Sequence, residues 1–202
     1  MFSKKDVETL NSDRLFRGFL SVTSVRLKHA LFARQGDPYQ SDEVSSEVVR
    51  EVVNNRAAVG VLLVDKTLRQ VALVEQFRIG PYVAGDENPW LLELVAGLVE
   101  AGESPAEVAV REALEEANCQ IMSLEHINDY YSSPGGGTQL FSLFCGWCDL
   151  SQAGGVYGLA KEQEDILVHT VGFDECFDML TQKQISNAHT MIAIQWLKMN
   201  HA

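Results

Sequence analysis

Glu112, Glu115 and Glu116 crowd three carboxylates into five residues, in a stretch that otherwise reads as helix. On a helix, Glu112 and Glu116 are i,i+4 neighbours, with Cβ atoms roughly 5–6 Å apart. Like charges at that spacing weaken a helix unless something offsets them. Arg111 can pair with Glu107 or Glu115 but not with all three carboxylates. A hard divalent cation resolves the conflict. Mg²⁺ takes oxygen ligands and is usually held by one or two carboxylates, waters and substrate phosphate. Gly97 and Gly102 put a flexible loop ahead of the helix, so the segment points to metal-assisted phosphate chemistry. For an E-x-x-E-E run alone, a solvated acidic face is the alternative.

The helix that carries these groups has its own signals. Ser104 with Glu107 forms a capping box, and Pro105 stands in the first turn, where its missing N–H costs nothing. Ala106, Ala109, Val110, Ala113, Leu114 and Ala117 supply a small apolar face, and Asn118 suits the left-handed exit. Upstream, residues 14–32 read as strands, and the polar stretch 33–47 reads as a loop and as the boundary of an N-terminal annex. Residues 57–64 and 68–78 flank a short turn at 65–67 and predict a hairpin. Gly and Pro mark 79–90 as loop, whereas 91–95, 124–132, 139–149 and 165–172 read as strands. Helices close the chain from about Asp174 and about Asn187. Strands and helices mix without regular βαβ alternation, which predicts an α+β fold.

With 202 residues, 46% of them hydrophobic and 22% charged, the chain can bury a core as one domain plus a small annex. A net charge of −12 argues against nucleic acid and anionic membrane surfaces as partners. An anionic small ligand remains compatible if a metal stands between it and the carboxylates. No apolar run approaches the ~18 residues of a membrane span, and no apolar segment of a signal peptide follows Met1, so a cytoplasmic protein with reduced thiols is expected. Cys145 and Cys148 make a C-x-x-C without a second ligand pair, and read as packed strand cysteines. His29, His126, His169, His189 and His201 show no metal-ligand spacing.

Gly97, five residues, Glu103, seven residues, then Arg111-Glu112-Ala113-Leu114-Glu115-Glu116 resembles the box of the Nudix hydrolase family, G-x5-E-x7-R-E-U-x-E-E-x-G-U with U aliphatic. Every charged position matches. Ala113 holds an aliphatic position, while Asn118 and Cys119 replace the last glycine and aliphatic residue. Residues 89–97, 132–139 and 158–166, with Pro134 15 residues after Cys119, are similar to the branch of that family that hydrolyses ADP-ribose. The resemblance implies an α/β/α sandwich with a mixed sheet, residues 48–202. A β-rich annex, residues 1–47, would serve dimerisation and adenosine contact.

It also implies roles. Glu112 and Glu116, the carbonyl of Ala96 and Glu164 would bind Mg²⁺ or Mn²⁺, with more than one ion per site and Glu115 close by. Glu103 and Arg111 would brace the loop and helix. Glu162 would act as the base that takes a proton from the attacking water, although a solvated charge run is the alternative for residues 161–165. Phe19, Leu20, Arg50, Glu51, Arg78, Leu98, Ser133, Pro134, Gly135 and Gln139 fall at substrate-contact positions, the adenosine end being shared across a homodimer. For Phe19, plain packing is the alternative; for 133–137, an ordinary hairpin turn. Three glycines follow Pro134 where similar enzymes have two, and Gln139 replaces an acidic residue. The expected reaction is hydrolysis of ADP-ribose to AMP and ribose 5-phosphate. The rivals are another nucleoside diphosphate sugar or dinucleotide as substrate, and a non-catalytic ADP-ribose sensor. The intact carboxylates and the lack of a basic helix argue against the sensor.

Overall fold

A computed structural model describes residues 1–201, and their contacts divide the chain into two compact units. The first contains β1 (Val7–Arg17), β2 (Ser21–His29) and β3 (Val48–Asn54), an antiparallel sheet in the order β1-β2-β3. The expected boundary after residue 47 differs from the observed one. The unit runs Met1–Arg56 and takes in Tyr131–Gln139. Local composition cannot show why. β3 pairs with β2 along its whole length, from Leu27 opposite Val48 to Ser21 opposite Asn54. The glycine loop returns to the end of β3, where the Val53 N–H donates to the Gly136 carbonyl at 2.8 Å. Thr138 Oγ1 accepts from the Asn55 N–H at 2.9 Å.

The second unit contains β4 (Ala58–Asp65), β5 (Gln70–Phe77), α1 (Ile79–Ala84), β6 (Trp90–Glu93), β7 (Val95–Leu98) and α2 (Pro105–Ala117). It continues with β8 (Ile121–Tyr131), β9 (Leu140–Cys148), β10 (Gly155–Tyr157), β11 (Ile166–Gly172), α3 (Phe173–Thr181) and α4 (Ala188–His201). The sheet has eight strands in the order β10-β11-β5-β4-β9-β8, with β6 on β5 and β7 on β4. β4 and β9 run parallel at its centre, while β5 and β7 pair antiparallel with β4, so the sheet is mixed.

β4 is buried along its whole length, as the continuous apolar run requires. Its side chains alternate between two layers. Leu62 and Val64 pack with Phe177, Ile194 and Leu197 of α3 and α4. Val59, Val61 and Leu63 pack with Val108, Ala109 and Ala113 of α2. Helices therefore cover both faces of the sheet, an α/β/α arrangement. Cys145 belongs to the first layer and Cys148 to the second, because residues three apart on a strand face opposite ways. All four cysteines are free and buried.

Several elements depart from the sequence expectation: β1 begins at Val7 rather than at residue 14, and β3, α1 and β10 are not among the expected elements. The stretch 79–90 is not all loop, since α1 occupies Ile79–Ala84. Pro81 sits in the first turn, where proline is tolerated, and Gly85 closes the helix at φ 83°. β10 has only three residues, Gly155 first among them and Gly154 just before, both at positive φ, too few to register as alternation.

The β4–β5 turn hangs on Asp65. Its buried carboxylate accepts from the Thr67, Leu68 and Leu150 N–H groups at 2.8, 2.9 and 3.0 Å. Asp65→Ala leaves three donors without an acceptor. Urea denaturation is expected to show a loss of about 2 kcal/mol, and an unchanged midpoint would contradict this role.

Candidate active site

α2 is held at both ends in the manner its sequence predicts. The Ser104 hydroxyl accepts from the Glu107 N–H at 3.3 Å, and the Glu107 carboxylate accepts from the Ser104 N–H at 2.9 Å. At the exit Asn118 takes the left-handed conformation, φ 49°. The apolar face buries Val108, Ala109, Ala113 and Ala117. That fixes the rotation of the helix and turns Glu112 and Glu116 inward, with Glu116 only 3% exposed.

Gly97, on β7, explains its place in the box. A Cβ there would overlap the Glu112 carboxylate. Next to it, the Ala96 N–H donates to Glu116 Oε2 at 3.1 Å, which joins β7 to the helix. Arg111 links loop and helix. Its Nη1 donates to Glu112 Oε1 and Glu115 Oε2, both at 2.9 Å, and its Nε to Glu103 Oε1 at 3.3 Å. The same Glu103 carboxylate accepts from the Glu100 N–H at 3.0 Å. Glu164 is held by the Leu159 N–H at 3.0 Å. Gly158 passes so close that a Cβ would stand 2.7 Å from that of Glu164.

The electrostatics follow from burial. Desolvation, reinforced by Glu115 and Glu164 and opposed by Arg111, pushes Glu112 up to about 7. Desolvation with the charges of Glu112 and Glu164 pushes Glu116 up to about 8, against the Ala96 N–H and Arg78. Burial alone would lower Arg111, but Glu112, Glu115 and Glu103 outweigh it and keep the guanidinium charged. Burial and neighbouring carboxylate charge thus raise Glu112 and Glu116, and one arginine does not offset this. This donor set is all oxygen and suits a hard divalent cation. Among the described residues, no three acidic, histidine or cysteine side chains already converge on one point. Each carboxylate has turned to the nearest N–H donor: Glu112 to Arg111, Glu116 to Ala96, Glu164 to Leu159.

Arg78 joins this group. Its charge reaches Glu116, and its Nε donates to Glu93 Oε2 at 2.6 Å. Leu98 ends β7, opposite Ala58 of β4. Glu162 ends a 3₁₀ turn with its carboxylate half exposed, 3.4 Å from Lys161 Nζ. The remaining expected positions lie in the first unit. Phe19, 89% exposed, and Leu20 form the β1–β2 turn, and Arg50 and Glu51 stand exposed on β3. Ser133, Pro134 and Gly135 are in the returning loop, where Gln139 Nε2 donates to the Arg56 carbonyl at 3.3 Å.

Sequence reasoning missed Glu93 and Gln76. Each is a polar residue inside an apolar strand, and a buried polar group needs a partner. Glu93 has one in Arg78, whereas Gln76 Nε2 is buried without any.

The family model described as the NUDIX domain matches residues 54–175, and the chain belongs to this family. An ADP-ribose pyrophosphatase of Haemophilus influenzae is 40% identical over 203 residues, covering 100% of this chain and 90% of that protein. One from Escherichia coli K12 is 39% identical over 200 residues, covering 99% and 91%. A GDP-mannose pyrophosphatase of Cronobacter sakazakii is 32% identical over 181 residues, covering 86% and 91%. A crystal structure of an ADP compounds hydrolase shares the fold, with a TM-score of 0.71 at 19% identity over 100% of this chain and 99% of that one. Nudix hydrolases depend on divalent metal.

Two outcomes are expected. Gly97→Ala drives a methyl group into the Glu112 carboxylate, so activity should fall at least about 100-fold while far-UV circular dichroism stays native. An active Gly97→Ala protein would remove the steric argument. Glu112 and Glu116 also hold protons in the folded chain that the unfolded chain has released. Metal-free protein should therefore lose thermal stability as pH rises from about 5 to about 8. Glu116→Gln should flatten that slope in EDTA, and an equal slope in both proteins would refute the assignment.

Proposed function

We propose that this chain hydrolyses the pyrophosphate of ADP-ribose to AMP and ribose 5-phosphate with Mg²⁺. The observation that carries the reading is the pair Glu112 and Glu116, which burial and the neighbouring charge of Glu164 push well above the usual carboxylate range. The substrate follows from the two ADP-ribose pyrophosphatases that match nearly the whole chain at 39–40% identity.

On this reading Glu112, Glu116, Glu164 and the Ala96 carbonyl hold the cation. When bound, it neutralises pyrophosphate charge and acidifies the attacking water. Water adds to one phosphorus, the bridging P–O bond breaks, and Glu162 takes the proton. Glu162 suits a moving base. It is half exposed, in a short turn between Gly158 at φ 109° and Gln163 at φ 59°. Glu115 and Arg111 keep Glu112 oriented, and Arg78 faces the phosphates. The family resemblance assigns ribose contacts to Leu98 in the second unit and, separately, to Ser133, Pro134, Gly135 and Gln139 in the first. Phe19 stacks on adenine beside Leu20, Arg50 and Glu51.

The first unit pairs two copies of the chain. β1 leaves all eleven residues exposed, with Leu10, Leu15 and Phe16 between 40% and 58%. Among the described residues no helix is long and apolar enough to cross a membrane, and four reduced cysteines suit the cytoplasm.

Product analysis on ADP-ribose, NADH, ADP-glucose, GDP-mannose and diadenosine polyphosphates tests the substrate. Fastest release of AMP from ADP-ribose, abolished by EDTA, is expected. Preference for GDP-mannose would overturn the substrate and keep the chemistry. Glu162→Gln should cut kcat by at least about 100-fold and leave ADP-ribose binding intact. Wild-type kcat in that variant would move the base elsewhere.

A further inference from the structure

Glu93 is the buried acid that the metal chemistry does not use. It ends β6, is 3% exposed, and divides its two oxygens between two elements. Oε2 accepts from Arg78 Nε at 2.6 Å, and Oε1 accepts from the Asn187 side-chain amide. A carboxylate buried this far is costly unless both oxygens have donors. Asn187 in turn caps α4. Its Oδ1 accepts from the Thr190 N–H at 3.0 Å and from the Thr190 hydroxyl at 3.1 Å. The ring closes at Leu94, between β6 and β7, whose N–H donates to Thr190 Oγ1 at 2.9 Å. Thr190 is fully buried, so no water competes for these bonds.

The consequence falls on Arg78. Its backbone N–H is fixed to the Pro89 carbonyl at 2.8 Å, and its Nε is taken by Glu93. Its two Nη groups make no hydrogen bond among the described residues, and its side chain is 40% exposed. A planar guanidinium anchored at Nε presents both Nη groups in one fixed direction, the geometry that fits two phosphate oxygens. A free arginine would have to give up rotamer freedom on binding, and this one has already lost it.

We propose that Asn187, at the start of α4, is a positioning residue for substrate: through Glu93 it pre-orients Arg78 toward the pyrophosphate. The proposal rests on the reading of Arg78 as a phosphate contact. The two functions of Asn187 belong to different atoms, since Oδ1 caps the helix while Nδ2 tethers Glu93. Serine keeps the first and loses the second, because its hydroxyl can accept from Thr190 N–H but cannot reach Glu93.

Steady-state kinetics on ADP-ribose with Mg²⁺ should be compared in the full chain, Asn187→Ser, Arg78→Gln and the double variant. Asn187→Ser is expected to raise KM about tenfold with kcat changed less than about threefold, and to lower the melting temperature by only about 2–4 °C, because one Glu93 oxygen loses its donor. In the Arg78→Gln background it should have no further effect on kcat/KM. Glu93→Gln, which keeps the shape and removes the charge, should reproduce the rise in KM. Unchanged KM in both Asn187→Ser and Glu93→Gln would overturn the proposal. So would an Asn187→Ser penalty that simply adds to that of Arg78→Gln, since a general structural role predicts additivity. Wild-type KM in Arg78→Gln alone would refute the phosphate contact itself, which separates that failure from a failure of the relay.

Discussion

Glu112 and Glu116 lie one turn apart on one helix, and the apolar face of that helix turns both out of water. Desolvation and mutual repulsion make this pair unfavourable by itself. The surrounding structure is arranged to tolerate it. Arg111 draws Glu112 and Glu115 together, the Ala96 N–H meets Glu116, and Gly97 leaves the space that Glu112 fills. The capping box and the left-handed Asn118 hold the helix against the repulsion its own glutamates create. A phosphate-cleaving site gains from this conflict, because binding a cation relieves it.

The sheet supplies the rigidity that such a site needs. β4 and β9 run side by side at its centre, and apolar layers on both faces lock α2 on one side and α3 and α4 on the other. Groups around Glu112 and Glu116 arrive from separated parts of the chain: the Ala96 N–H from β7, Arg78 from just after β5, Glu164 from the loop before β11. Glu162 is different. It sits on a turn bounded by two residues at positive φ, with its carboxylate half exposed.

The helix, its caps and the central strands were legible because their signals are local. Ser104, Pro105, Glu107 and Asn118 act within one helix, and the run 57–64 is apolar throughout. The carboxylate cluster was legible for the same reason, since Glu112 and Glu116 are four residues apart. What escaped depends on contacts distant in sequence. β3 joins the first unit through pairing with β2, and the glycine loop reaches it from residues 131–139. Asn187 meets Glu93 across 94 residues, a relation that no local pattern encodes. α1 was hidden by Gly80 and Pro81, which read as breakers although proline is tolerated in a first turn.

Glu112 and Glu116 are raised by burial and by neighbouring carboxylates, and a divalent cation would relieve that cost. Titration of Mg²⁺ into metal-free protein, with proton release followed in weakly buffered solution, tests it directly. At pH 7, Glu116 near 8 and Glu112 near 7 carry protons that a cation must displace, so about one to two protons should appear per chain. The release should vanish near pH 9. Tight binding with no protons released at pH 7 would show that the carboxylates were already ionised, and binding abolished by neither Glu112→Gln nor Glu116→Gln would place the cation elsewhere.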